Sequence, residues 1–155
     1  MSTLKLLVVA VGKARGGPEA RLVQDYAGRL RWPLEVREVE ERRPLPSADR
    51  TAREGRLLLD AVPAGAHVVA LDGGGRTLSS EAFAAHLGRV RDGGARSVAF
   101  LIGGADGHDA AVLERADLTL SLGAMTWPHM LVRPMLAEQL YRAQSILDGH
   151  PYHRG

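Results

Sequence analysis

The sequence contains no cysteine and only two lysines. The absence of cysteine excludes disulfide bonds and thiolate metal sites, and it fits a protein that works in a reducing cytoplasm. No apolar run approaches the length of a membrane-spanning helix. The opening stretch MSTLKLLVVAVG has one lysine and no A-x-A cleavage site, so we expect a first strand there rather than a signal peptide. Repeats, low-complexity segments and linkers are missing as well, which predicts a single domain spanning residues 1–155.

Positive charge is carried almost entirely by arginine, with 18 arginines against the two lysines. The 18 acidic residues leave a net charge of +2, while the isoelectric point is about 9.4. Arginine is well suited to contact phosphates and to stack on bases, as an RNA-binding protein requires. A GC-rich genome, which encodes arginine where another would use lysine, explains the same bias. The totals alone therefore do not argue for RNA.

Apolar, β-branched runs alternate with stretches that have helical spacing. The predicted strands cover residues 4–11, 34–39, 68–71, 98–102 and 118–122, and the predicted helices cover 18–30, 47–62, 80–91, 109–116 and 131–147. This alternation predicts a parallel α/β sheet. Pro134 falls inside the last helical pattern, and proline lacks the N–H donor, so we expect that helix to begin near residues 130–133, with MTWPH as loop.

Ligands of parallel sheets bind beyond the carboxyl ends of the strands, so the loops after the strands are candidate sites. Glycines cluster in three of them, GKARGG, DGGGR and GGADG, where they either admit a ligand close to the backbone or simply form tight turns. Neither G-x-x-x-x-G-K-[ST] nor G-x-G-x-x-G is present in these loops. Only Lys13, Arg15 and Arg76 add positive charge near the glycines, whereas a polyphosphate would require more. We therefore expect a neutral heterocycle, held by backbone groups and by the apolar residues Leu71, Ile102, Leu122 and Met125.

Two arginines of the last predicted helix stand out. Arg133 lies near the helix N-terminus, where the helix dipole disfavours a cation, so a negative partner is expected. Arg142 lies nine residues later on roughly the opposite face. It either takes part in the chemistry or forms a surface salt bridge with Glu138, four residues earlier.

The chain ends ILDGHPYHRG, which is unusually rich in functional groups. His150 suits a cap on the helix end. Tyr152, His153 and Arg154 could stack on a base, shuttle a proton and contact a phosphate or carbonyl, or they could form an ordinary flexible tail. A zinc site at His150 and His153 is not expected, because no third ligand is in range.

Three segments, LIGGADG, SLGAMTWPHMLVRPMLAEQLYRA and HPYHRG, together closely resemble the RlmH family of bacterial SPOUT-class methyltransferases. The resemblance spans the whole chain and is strongest over residues 101–154. It implies an α/β SPOUT fold with helices flanking a parallel sheet and a C-terminal trefoil knot, although knots are rare. It further implies a cytoplasmic homodimer that uses S-adenosylmethionine to methylate N3 of a pseudouridine in 23S rRNA, in the helix 69 region of the assembled ribosome, without metal or membrane.

The same resemblance assigns site residues. By motif match the cofactor site comprises Leu71, Gly104, Gly123, Ala124, Met125, Thr126, Trp127 and Pro128. The residues expected at the reacting base are Tyr152, His153, Arg154 and Arg142. As proton acceptor we favour His153 over solvent assisted by Arg154.

The chain also departs from the family. Pro134 stands where an aliphatic residue is usual, Trp127 stands where leucine is frequent, and Gly155 stands where an acidic residue is common. Residues 105–107 are Ala-Asp-Gly instead of the commoner Pro-Glu-Gly.

Two alternatives to this function stay open. The chain could be a nucleotide-binding α/β protein without RNA methylation activity, or a ribosome-associated protein that has lost catalysis.

Overall fold

The computed structural model describes residues 3–155 and contains one five-stranded sheet with helices on both sides. The strands are β1 (Lys5–Val11), β2 (Leu34–Val39), β3 (His67–Thr77), β4 (Ser97–Ile102) and β5 (Leu118–Ser121). The helices are α1 (Pro18–Arg29), α2 (Ser47–Asp60), α3 (Ser80–Asp92), α4 (Ala110–Arg115) and α5 (His129–Asp148). The predicted parallel α/β fold is therefore confirmed.

The strand order is β2-β1-β4-β3-β5, and every pairing is parallel. Side chains alternate between the two faces along each strand, so a parallel sheet covered on both sides needs apolar residues throughout. In β1, Leu6 and Val8 point to the face covered by α1, α3 and α5, whereas Leu7 and Val9 point to the face covered by α2 and α4. The continuous apolar runs in the sequence reflect this double burial.

Strand β3 is longer than the sequence pattern predicts. It continues from Leu71 to Thr77, and a bulge separates two residues, Leu71 and Arg76, that both pair with Leu120. The prediction that DGGGR is a loop after a strand ending at residue 71 is thus wrong, because β3 includes all five of these residues. The strand can pair with β5 again after the bulge because residue 75 is a glycine and has no side chain. A Cβ at this position would lie only 2.6 Å from the Thr119 carbonyl.

The last helix begins earlier than predicted. It starts at His129, one residue after Pro128, so Pro134 occupies its second turn rather than its first. The helix tolerates Pro134 at the cost of one hydrogen bond, the one that its N–H would have donated to the Met130 carbonyl. The early start brings His129 onto the helix and directs the first turn of α5 toward the carboxyl ends of β1, β3 and β4.

Candidate functional site

A cavity of about 270 Å³ lies at the carboxyl edge of the sheet, between the loops that follow β4 and β5 and the bulge of β3. Its floor is apolar and includes Leu71, Ile102 and Leu122. Seven of the eight residues expected to hold the cofactor line it; these are Leu71, Gly104, Gly123, Ala124, Met125, Thr126 and Trp127. Pro128 does not line it and serves instead as the N-cap of α5.

Backbone groups of the β5–α5 loop are available to a ligand in this cavity. Within residues 3–155, nothing accepts a hydrogen bond from the N–H groups of Ala124, Met125, Thr126 or Trp127. Gly123 opens the loop with a φ of 119°, a conformation that other residues rarely adopt, and its N–H bonds to the Ser121 hydroxyl. The loop thus presents polar backbone atoms beside apolar side chains, as the sequence led us to expect for a neutral heterocycle.

Gly104 lies in a closely packed part of the cavity wall. A Cβ at this position would lie 3.1 Å from Val11 Cγ1 and 3.3 Å from the Glu54 carboxylate, so the β4 loop packs tightly against the strand and helix behind it. Glu54 is buried, and burial raises the pKa of its carboxyl. The back wall of the cavity is therefore closely packed.

A larger cavity, of about 530 Å³, lies next to the first but is mostly apolar. Leu22 and Leu131 on its rim are 47% and 40% exposed, respectively. The default choice of the largest cavity as the ligand site fails here, because the polar backbone groups and clustered glycines converge on the smaller one. The larger cavity is thus an apolar surface with exposed leucines on its rim.

Arg133 has its negative partner inside the protein. Its side chain is buried, and its guanidinium donates to Glu38 at 2.5 Å and to the carbonyls of Val11 and Gly12 at 3.3 and 3.0 Å. Burial alone would raise the pKa of Glu38, but the hydrogen bonds from Arg133 and from the Ala14 N–H lower it overall. The expectation of a negative partner for Arg133 is confirmed. The buried guanidinium ties α5 to β2 through Glu38 and to the end of β1 through the two carbonyls.

The C-terminal tail is folded onto its own chain, beside the larger cavity. The Tyr152 hydroxyl donates to Glu138 at 2.7 Å, and Arg142 donates to the same carboxylate at 2.6 Å, so the predicted salt bridge between Arg142 and Glu138 is confirmed. The Arg142 guanidinium also lies 4.7 Å from the centre of the Tyr152 ring. The hydrogen bond to Glu138, with some burial, raises the pKa of Tyr152 to about 12, so this hydroxyl stays protonated.

His153 is held at both ring nitrogens. Nδ1 lies 3.0 Å from Arg142 Nη1, and Nε2 lies 2.8 Å from a carboxylate oxygen of Glu81. Because arginine only donates, Nδ1 must accept and Nε2 must carry the proton. In this arrangement His153 has no free lone pair with which to take up a further proton.

The helix end next to the tail is not capped by the imidazole of His150. Gly149 adopts a left-handed conformation with φ of 73°, and the backbone N–H of His150 donates to the Ser145 carbonyl. The His150 ring instead accepts a hydrogen bond from the Tyr152 N–H. The suggestion that the His150 side chain caps the helix is therefore wrong, because Gly149 allows the backbone to do so.

Sequence reasoning missed three residues at or near these sites and one contact of a fourth. His129 and Asp72 line the smaller cavity, and Glu81 contacts His153. Glu138, expected only as the partner of Arg142, also accepts a hydrogen bond from Tyr152. The position of His129 directly after a loop proline could have marked it. The role of Glu81 had no signal, because it is 72 residues from His153 along the chain.

The described residues also limit other kinds of site. Across residues 3–155, no group of three or more histidine, aspartate or glutamate side chains is arranged to hold a metal ion. In the same range, no helix is both long and apolar enough to cross a membrane.

Comparison with known proteins is consistent along the whole chain. Residues 4–153 match a family model described as "Predicted SPOUT methyltransferase". A protein of Paramagnetospirillum magneticum and one of Rhodospirillum rubrum are each 60% identical over 151 residues, covering 97% of this chain and 99% of the relative. A protein of Rhodospirillum centenum is 56% identical with the same coverage, and all three are named ribosomal RNA large subunit methyltransferase H. The chain therefore belongs to the ribosomal RNA large subunit methyltransferase H family of SPOUT methyltransferases.

Proposed function

We propose that this protein transfers a methyl group from S-adenosylmethionine to N3 of a pseudouridine in 23S rRNA, in the helix 69 region of the assembled ribosome. The observation that carries the proposal is the small cavity, where three separate chain segments bring seven expected cofactor residues together. We further propose that residues 1–155 form one domain with a C-terminal trefoil knot, and that the protein acts as a cytoplasmic homodimer.

The residues of the cavity fit S-adenosylmethionine. The apolar floor and the free N–H groups of residues 124–127 suit an adenosine, which needs flat apolar contact and a few backbone hydrogen bonds. The exposed side chains of Met125 and Trp127 stand at the rim, where they can cover a bound molecule. When bound, the cofactor's sulfonium supplies the methyl group and leaves as a neutral thioether.

The reaction must also remove one proton, because N3 of pseudouridine is a weakly acidic imide that becomes N-methylated. His129 lines the cavity, and within residues 3–155 no group is hydrogen-bonded to its ring. We therefore assign proton removal to His129 and leave to His153 the positioning of the tail. This assignment follows from the position of His129 in the cavity and from the free lone pair of its neutral ring. A general base must lie within reach of the proton that it removes before its pKa matters.

Tyr152, His153, Arg154 and Arg142 are proposed to orient the target base from a second protomer. In one chain the tail lies against Glu81 and Glu138, and residues 150–155 do not line the small cavity. A second copy covering the large apolar cavity would bring its tail across the interface, since the tail lies at that cavity's edge. The exposed leucines on that rim support such a contact.

The decisive experiment adds labelled S-adenosylmethionine to ribosomes that lack this methyl group, with and without prior pseudouridylation, and maps the product. We expect label at one position only, and only after pseudouridylation. Calorimetric titration with S-adenosylmethionine, ATP and NAD is the parallel test. Binding of ATP or NAD without S-adenosylmethionine would favour a nucleotide-binding protein without methylation activity.

Two variants separate the proposed roles. His129→Gln should lower kcat by about 10²- to 10⁴-fold, and the loss should shrink as pH rises because hydroxide then removes the imide proton. Truncation after Gly149 should abolish methylation while leaving cofactor binding largely intact. A folded truncated protein that methylates normally would refute the role of the tail.

A further inference from the structure

A third cavity, of about 440 Å³, lies beside the first two and is lined by four cationic side chains. These are Lys13, Arg15, Arg37 and Arg133, and Glu38 is the only acid among the lining residues. The cavity is built where the β1–α1 loop crosses the carboxyl ends of β1 and β2. None of its residues belongs to the proposed cofactor pocket or to the tail.

The single acid does not neutralise the cavity. The Glu38 carboxylate is already engaged by the buried Arg133 and by the Ala14 N–H. Arg37 is paired with Glu35 at 2.9 Å. Lys13 and Arg15 are exposed, and no acidic side chain within residues 3–155 forms an ion pair with either of them. Two cations that form no ion pair within residues 3–155 thus remain at one opening.

The loop that carries these cations is held in place. Arg15 has φ of 54°, the one described non-glycine residue with positive φ, and the Ala14 N–H is fixed by Glu38. A backbone strained in this way persists only where its surroundings enforce it. The backbone that carries the two cationic side chains is therefore held in place.

The cationic cavity and the proposed cofactor pocket meet at the start of α5. His129 lines the pocket, and Arg133, one turn later and about 6 Å along the helix axis, lines the cationic cavity. The loop touches the same turn, because a Cβ on Gly12 would lie 3.6 Å from His129 Nε2 and 3.2 Å from Met130 Cε. An RNA strand that delivers a base to the pocket would therefore pass the two free cations.

We propose that Lys13 and Arg15 bind the phosphodiester backbone of the substrate RNA next to the target nucleotide. This inference rests on the proposed function, because it assumes that RNA is the substrate. Phosphate contacts position a nucleic acid without reading its sequence, and they make binding dependent on salt. The cavity would thus set the register of the strand while the pocket and the tail hold the base.

The test is the double variant Lys13→Gln/Arg15→Gln, measured on ribosomes that lack the methyl group. Its matched control is Lys5→Gln/Arg96→Gln, which removes one lysine and one arginine from exposed positions at the opposite edge of the sheet. The swapped variant Lys13→Arg/Arg15→Lys keeps the charge.

For each protein, ribosome binding is titrated from 50 mM to 1 M KCl, KM and kcat are measured, and S-adenosylmethionine binding is followed by calorimetry. We expect only the Lys13→Gln/Arg15→Gln variant to show a change, namely a salt slope smaller by about 1.4 to 1.8 units, at about 0.7 to 0.9 for each lost phosphate contact. Its affinity for ribosomes at 0.1 M salt should fall by a factor on the order of tens. Its KM for ribosomes should rise accordingly, with kcat and cofactor affinity within about twofold of wild type, and the swapped variant should behave as wild type.

Three results would overturn the inference. The first is a double variant indistinguishable from its control, and the second is a loss of binding that the charge-preserving swap does not repair. The third is weakened S-adenosylmethionine binding, which would place the cofactor's own carboxylate in the cavity. If the wild-type protein binds ribosomes but does not methylate them, the proposed function fails, while the binding titration still decides the role of Lys13 and Arg15.

Discussion

The buried ion pair between Arg133 and Glu38 offers a quantitative test of how α5 is fixed to the sheet. In Arg133→Met the apolar volume is largely kept, but three hydrogen bonds to Glu38, Val11 and Gly12 are lost. Removing one partner of a buried pair costs about 3–5 kcal/mol, mainly because the other charge stays buried without compensation. The Glu38 side chain is 27% exposed and keeps its bond from the Ala14 N–H, so water can reach it and the cost should fall to about 2–3 kcal/mol.

Urea unfolding measures this loss directly, and the midpoint of thermal unfolding should fall by roughly 4–12 °C. Glu38→Gln removes the stranded charge, so in the double variant the two losses should not add, with a coupling of about 1–2 kcal/mol. Arg37→Met is the matched control, since Arg37 lies on the same strand as Glu38 but forms an exposed pair worth under about 1 kcal/mol. A loss below about 1 kcal/mol in Arg133→Met, or losses that simply add, would show that the pair does not anchor the helix.

Three further predictions concern other parts of the molecule. Burial lowers the pKa of both His67 and His86 from 6.5, and their Nε2 atoms lie 2.9 Å apart. As pH falls, the unfolded chain therefore takes up protons at these histidines before the folded chain does. The contribution of the neutral histidines to the free energy of unfolding is complete above about pH 6.5 and is lost as pH falls through their lowered pKa values. The variant His67→Asn/His86→Asn should lose this pH dependence, as measured by urea unfolding at several pH values. Gly75→Ala should lower the free energy of unfolding by about 1–3 kcal/mol, because the added Cβ would meet the backbone of β5. The control Gly28→Ala on α1 should be neutral or stabilising, because a Cβ there meets nothing within 4 Å. Equal effects of the two substitutions would refute the packing argument. Trp127 is 41% exposed while the other tryptophan is fully buried, so S-adenosylmethionine should change only Trp127 fluorescence, and Trp127→Leu should abolish that change.

Much of the fold could be read from residue patterns because each pattern reports a local cause. Apolar residues marked all five strands, as runs buried on both faces in β1 and β4 and in alternation with exposed residues in the edge strand β2. The prediction for β3 was too short because its bulge places glycines where the apolar run ends. The start of α5 was misplaced because proline was given its usual position in the first turn. A helix can instead lose one hydrogen bond when packing supplies the difference, as it does for the buried Pro134.

The loops that line the proposed cofactor pocket could be anticipated from the sequence, because loops after parallel strands meet at one edge whatever their order in the chain. The individual residues were assigned by the resemblance to the family. The sequence by itself thus determined the fold class, the edge of the sheet where the proposed ligand site lies and the loops that line it. Only the tertiary structure decided which charges are paired: Arg133 with Glu38, 95 residues apart, and His153 with Glu81. Local patterns carry no information on such partners, because strand order and helix packing bring them together. The structure also shows that, within residues 3–155, the side chains of His129, Lys13 and Arg15 form no ion pair and no hydrogen bond.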